Sequence, residues 1–228
     1  MPADPMPAHP TPPRTALVAG GTGLIGSHLL SLLRAEPVYR RVHVLLRRPV
    51  DDLAGDARIA PLVVDYNALP DLLPAVDDVY IALGTTIKVA GSQDAFRRVD
   101  LDHVVSVARA ARAAGAQRLG VVSALGADAR SPMFYNRVKG EMEAAVASLG
   151  YESVTIVQPS LLIGDRDALG QPGRPGEVWA TRLLRPWMRL VPRGVRPIGA
   201  SAVAQALARS VMAGAPGVRR LGSGAMQP

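Results

Sequence analysis

Residues Thr15 to Arg34, TALVAGGTGLIGSHLLSLLR, leave this chain few folds to choose from. Ala16 to Ala19 read as a short buried strand. A glycine-rich turn follows, and Leu24, Ile25, Leu29, Leu32 and Leu33 then recur at the spacing of one helix face. The turn holds two overlapping patterns: Gly20, Gly23 and Gly26 form GxxGxxG, while Gly21, Gly23 and Gly26 form GxGxxG. The first glycine permits a tight turn out of the strand, the middle one lets backbone approach a diphosphate, and Gly26 lets the helix pack closely on the strand. Unpaired N–H groups and a partial positive charge at the helix start suit an anion. A dinucleotide fits this site; a turn that merely joins strand to helix is the alternative.

The rest of the chain alternates in the same way. Val42–Leu46, Ile59–Val64, Val79–Leu83, Leu119–Val122 and Val154–Val157 read as further strands. The spacing predicts helices over Ser92–Ala114, stopped by Gly115, from Phe134 or Tyr135 to about Leu149, and over Ser201–Met212; Arg219–Leu221 reads as an edge strand. This order predicts an α/β fold with a doubly wound parallel sheet, helices on both faces and a ligand crevice outside the strand C-termini. Gly26, Arg47, Asp65 and Gly84 all fall at such ends.

Arg47 and Arg48 close the second strand, where an acid would bind the adenosine ribose and an arginine accommodates a 2′-phosphate. The nearest acids, Asp51 and Asp52, lie past a proline, which favours NADP(H) over NAD(H); simple solvation of both arginines is the other reading. Asp65 at the third strand end could bond the adenine amino group, with Tyr66 beside it, or it could be a turn residue. Gly84 could let the cofactor pass close to backbone, or be an ordinary loop glycine.

Proton chemistry points to Ser123, Tyr135 and Lys139. Tyr135 and Lys139 are four apart on a predicted helix and share a face. A phenol is a poor proton shuttle at neutral pH, and a neighbouring ammonium stabilises its phenolate, making a tuned general acid/base. Ser123, at a strand end twelve residues earlier, can hold a substrate carbonyl or alcohol. The alternative has Tyr135 as a packing residue and Lys139 as a snorkelling surface charge.

Composition narrows the classes. The 228 residues suffice for one large α/β domain. There is no cysteine, so disulfides, thiolate metal sites and cysteine nucleophiles are excluded, and no metal site is expected. Residues 1–14 carry six prolines and no apolar block, and read as a disordered leader before a single domain over 15–228. No apolar run approaches the roughly 20 residues that span a bilayer, so a cytoplasmic protein without membrane insertion is expected. The net charge of +7 rests almost wholly on arginine, since only Lys88 and Lys139 are lysines. Nucleic-acid binding is not expected, because few aromatics accompany the basic residues.

The GGTGLIG turn, the Ser123 strand end and YNRVK together resemble the short-chain dehydrogenase/reductase superfamily. ALGTT from Ala82, Ala90–Gly91, Val99–Asp100, SALGAD from Ser123, YNRVKGEME from Tyr135 and GDR at Gly164 to Arg166 resemble, more narrowly, its atypical branch typified by the Tat-interactive protein. The resemblance implies a Rossmann-type, epimerase-like oxidoreductase with Tyr135 as acid/base, Lys139 on the nicotinamide ribose and Ser123 orienting a small substrate. It implies cofactor contacts from Gly20, Thr22, Gly23, Leu24, Ile25, Gly26, Arg47, Leu83, Gly84, Thr85, Gln158, Pro159 and Ser160. Many superfamily members use an asparagine in a proton relay where the Val99–Asp100 segment offers Asp100, and some members of the branch act as cofactor-binding regulators. Homo-oligomers are common in the superfamily.

Residues 165–200 read as a lid over the substrate. Within it Arg182, Arg185, Arg189 and Arg193 recur at helical spacing, with Pro186 and Pro192 as breaks. Such a basic segment could recognise a substrate phosphate or carboxylate, or contact a partner or acidic surface.

Overall fold

A computed structural model describes residues 12–53, 55–69, 73–163 and 192–227. Seven parallel strands form one sheet in the order β3-β2-β1-β4-β5-β6-β9. These are β1 (Arg14–Ala19), β2 (Tyr39–Leu46), β3 (Ile59–Val63), β4 (Asp78–Ile81), β5 (Arg118–Val122), β6 (Ser153–Gln158) and β9 (Gly217–Gly222). A separate ribbon pairs β7 (Leu162–Ile163) with β8 (Ile198–Gly199). The doubly wound parallel sheet is therefore present as the sequence predicts.

The alternation of β1 sorts the core into two layers. Ala16 and Val18 join α1 (Leu24–Ala35) and α6 (Ala200–Ala213) on one face. Leu17 and Ala19 join α4 (Val104–Ala113) and α5 (Phe134–Ala147) on the other. Burial on both faces is why these strands are continuous apolar runs. Strand order reverses between β1 and β4, and the crevice opens there, at the C-terminal ends.

Three boundaries differ from expectation. Arg14 belongs to the sheet rather than to a leader: its N–H donates to the Val38 carbonyl at 2.7 Å and its guanidinium lies 3.4 Å from Asp78 Oδ2. Asp78 is fully buried and also takes Arg118 at 2.7 Å and the Tyr39 hydroxyl at 2.5 Å, so the N-terminal edge of the sheet is a charge knot that needs Arg14. The predicted fourth strand ends two residues early, at Ile81. The predicted helix over Ser92–Ala114 is realised as α3 (Gln93–Arg97), a π turn (Arg98–His103) and α4, capped by the Ser92 hydroxyl at one end and closed by Gly115, at φ +103°, at the other. A short α2 (Ile87–Ala90) precedes it, and α7 (Ser223–Met226) ends the described chain.

Most of the expected lid, residues 165–191 with Arg182, Arg185 and Arg189, lies outside the described residues, as does most of the expected leader, residues 1–11.

Candidate functional site

The glycine turn works by contact. Gly20 has φ +83°, and a Cβ there would lie 2.5 Å from the Ala82 carbonyl oxygen. A Cβ on Gly26 would lie 2.0 Å from the Gly20 oxygen. The turn is therefore pressed between α1 and the end of β4, and only glycine fits both places. The Gly23 N–H closes it onto the Gly20 carbonyl at 3.1 Å. Helix α1 begins at Leu24 with no side-chain cap and no acid in its first turn. Its first N–H groups thus lack intrahelical partners and no acid stands in the turn itself, which fits a bound diphosphate. Thr22 is exposed, Leu24 half-buried and Ile25 buried.

The next crevice wall is mixed. Arg47 and Arg48 are exposed at the end of β2, free to meet an incoming anion. Asp65 Oδ1 accepts from the Asn67 N–H and Nδ2, each at 2.9 Å, which is the turn alternative realised. Tyr66 is buried, and its hydroxyl donates to the Leu45 carbonyl at 3.0 Å. That bond braces β2 and occupies the group expected to meet a cofactor; burial pushes this phenol up to about 12.

Around the strand ends of β4, β5 and β6 lie the remaining candidates. Leu83 and Thr85 are half-buried and Gly84 is exposed. Ser123 is 4% exposed, and its hydroxyl has no partner among the described residues. A buried hydroxyl without a partner costs free energy, and this one has both its donor and its acceptor capacity open. Tyr135 is half-buried, with its ring 5.4 Å from that of Phe96. Lys139 is buried, and its Nζ lies 2.7 Å from Asp100 Oδ1 in the π turn. Asp100 Oδ2 accepts from the Thr85 N–H at 2.8 Å.

Two of the expected contacts are committed elsewhere. Gln158 Nε2 donates to Glu143 Oε1 at 2.9 Å. The Ser160 hydroxyl donates to the Arg196 carbonyl at 2.5 Å and lies 2.9 Å from the Ser223 hydroxyl. These side chains tie β6 to α5 and to the C-terminal segment. Pro159 offers its carbonyl to the Leu125 N–H at 2.9 Å.

The loop joining Ser123 to Tyr135 is fixed in a way that residue spacing did not reveal. A Cβ on Gly140 would lie 2.1 Å from the Ala129 nitrogen, so α5 rests directly on this loop. The Asp128 N–H donates to the Asn136 carbonyl at 3.0 Å, and Arg137 donates to the Ser131 carbonyl at 2.9 Å. A glycine in the middle of a good helix, where alanine is favoured, was the available signal. Asp100 was also legible in retrospect: it sits on the buried stripe between Phe96 and Val104, where a charge requires a partner.

The model of an NAD(P)H-binding family matches residues 20–176. "Protein HTATIP2" of Rattus norvegicus is 33% identical over 173 residues, covering 74% of this chain and 69% of the relative. "Protein FMP52, mitochondrial" of Eremothecium gossypii is 34% identical over 154 residues, covering 67% and 68%. Among solved structures, "MoeE5 in complex with UDP-glucose and NAD" superposes with a TM-score of 0.66 at 21% identity, covering 91% of this chain and 76% of that one. The Helicobacter pylori ADP-L-glycero-D-manno-heptose-6-epimerase gives 0.67 at 17% identity, covering 92% and 77%. At these identities the structures establish the Rossmann-like fold.

The relatives overturn one expectation. The fungal FMP52 proteins carry "mitochondrial" in their names, against the cytoplasmic location expected here. That expectation rested on the missing secretory block and the missing membrane-spanning run, and neither bears on mitochondrial import, whose transit segments are amphipathic and arginine-rich. Among the described residues no helix is long and apolar enough to cross a membrane.

Proposed function

This chain belongs to the NAD(P)H-binding family, and on that premise we propose that it is an NADP(H)-dependent oxidoreductase acting on a small carbonyl or alcohol. When bound, the nicotinamide supplies or accepts the hydride. Residues Gly20 to Gly26 hold the diphosphate on backbone N–H groups, Arg47 and Arg48 receive the 2′-phosphate, and Leu83 to Thr85 border the nicotinamide half. In reduction, the Ser123 hydroxyl holds the substrate oxygen and the Tyr135 hydroxyl gives it a proton as the carbonyl becomes an alcohol. The Lys139 ammonium stabilises the resulting phenolate, which regains its proton from solvent. Oxidation runs the same transfers backwards. The unpartnered buried hydroxyl of Ser123 carries this reading, since it stands at the strand end from which the loop to Tyr135 and Lys139 departs.

Two variants test it. Arg47→Asp weakens NADPH binding about tenfold or more and leaves NADH nearly unchanged, because only the 2′-phosphate is lost as a partner. Tyr135→Phe abolishes turnover with NADPH affinity intact. Equal loss of both nucleotides in the first variant removes the NADP(H) preference. Full NADPH affinity with no reaction across a broad panel of carbonyls and alcohols would refute the oxidoreductase assignment.

A further inference from the structure

The Lys139–Asp100 pair is almost sealed from water: the two side chains are 5% and 1% exposed. Asp100 is reached through an irregular element. The π turn Arg98–His103 turns Asp100 and Leu101 inward while Arg98 and Asp102 stay exposed. π turns inside α-helices recur at functional sites. One Asp100 oxygen faces Lys139 on α5, and the other takes the Thr85 N–H from the loop after β4. Three elements are thus joined at one carboxylate. Gly84 roofs the pair, since a Cβ there would lie 3.4 Å from Asp100 Oδ1 and 3.9 Å from Lys139 Nζ.

We propose that Asp100 is a positioning residue of the site: its carboxylate fixes the Lys139 ammonium in place and ties it to the loop that borders the nicotinamide half. This rests on the assignment of Tyr135 and Lys139 made above. It differs from a relay amide at this position, because one carboxylate oxygen takes the Thr85 N–H and the other stands as counter-charge to Lys139. The other groups around Lys139 do not replace Asp100. Tyr135 and Glu143 lie one turn to either side on α5. Glu143 is matched by Arg220 of β9 at 3.0 Å and by Gln158 of β6. The loop after β4 supplies the Thr85 N–H, and that bond goes to Asp100. A buried ammonium deprived of its counter-charge gives up its proton more readily.

The chain has only two lysines, so 13C-lysine labelling gives two side-chain signals, assigned with Lys88→Arg. In full-length Asp100→Asn, the Lys139 side-chain signal broadens and moves toward the position of the Lys88 signal, which is itself unmoved. With any alcohol that is turned over, kcat falls while KM changes little, because the ammonium has lost the contact that fixes its place. A Lys139 signal identical to that of wild type overturns the proposal. A stability cycle with Lys139→Met covers poor folding of the single variant: the double variant is at least as stable as Asp100→Asn alone, because no unpaired buried charge remains. Additive losses, or failure of the double variant to fold, overturn it too. A displaced Lys139 signal in a protein that binds NADPH but turns over nothing leaves Asp100 as the partner of Lys139 and removes the oxidoreductase assignment instead.

Discussion

Replacing Gly26 by alanine separates the tight fit of the glycine turn from simple loop flexibility. The new Cβ would lie 2.0 Å from the Gly20 carbonyl oxygen and 2.8 Å from both the Gly20 carbonyl carbon and Gly21 Cα, where real Cβ contacts stay beyond 3.0 Å. Every one of these neighbours is backbone, so relief requires the turn to move by about 1 Å. Overpacking of this kind costs about 3 kcal/mol at the upper end of its usual range. Alanine returns about 1 kcal/mol through helix propensity, since Gly26 lies within α1. The net loss of about 2 kcal/mol lowers the melting temperature by roughly 4–8 °C for a chain of this size. A larger effect falls on binding, because the displaced Gly20 carbonyl also holds the Gly23 N–H at 3.1 Å. Wild type in NADPH at a hundred times Kd gains about 2.7 kcal/mol, or roughly 5–11 °C; Gly26→Ala gains a small part of this. Gly222→Ala serves as control, since nothing lies within 4 Å of its Cβ and its φ is −69°. Thermal unfolding with and without NADPH reads both effects. If Gly26→Ala melts with wild type and gains equally from NADPH, the contact argument is wrong.

Alkaline pH gives a second test. Burial raises the phenols of Tyr39, Tyr66, Tyr80 and Tyr151, that of Tyr66 to about 12. Between pH 10 and 12 the unfolded chain has lost protons that the native chain keeps, so stability present below pH 10 falls as pH rises, by about 3 kcal/mol from Tyr66 alone. Urea midpoints at pH 9 and 11 measure this, and Tyr66→Phe flattens the slope; an unchanged slope refutes the assignment. Tyr39→Phe removes a hydroxyl lying 2.5 Å from Asp78 and 2.7 Å from the Tyr80 hydroxyl, and costs about 1–3 kcal/mol by urea unfolding at pH 7. A loss near zero would mean that the charge knot under the sheet is satisfied without it.

What the sequence exposed was whatever depends on short spacing. The roles of Gly20, Gly23 and Gly26 follow from three-residue steps on one turn, and the shared face of Tyr135 and Lys139 from four residues on one helix. Partners brought together across the fold were hidden. Asp100 and Lys139 are far apart in the chain, and the π turn that joins them changes helix phase without a proline or glycine to announce it. Ser160 reads as a crevice residue from its strand end alone, and only the return of the chain through Arg196 and Ser223 shows its hydroxyl spoken for. Arg14 looks like the end of a proline-rich stretch because its partners, Asp78 and the Met212 carbonyl, come so much later.

The last strand bears on how the protein is made. β9 lies in register along β6, from Ser153 beside Gly217 to Gln158 beside Gly222. During synthesis β6 therefore emerges with its backbone edge unpaired and its buried Val154 and Ile156 flanking that edge, and residues 159–216 must follow before its neighbour arrives. A bare parallel edge of this kind is a template for other nascent chains, and pairing between distant strands is slow. β9 then gives the finished sheet a different border: Arg219 and Arg220 are exposed on it, Arg220 paired with Glu143, and charged side chains of this kind are what blunts a sheet edge. A ribosome stalled before residue 217 would hold a chain whose glycine turn is already made but whose sheet is still adhesive.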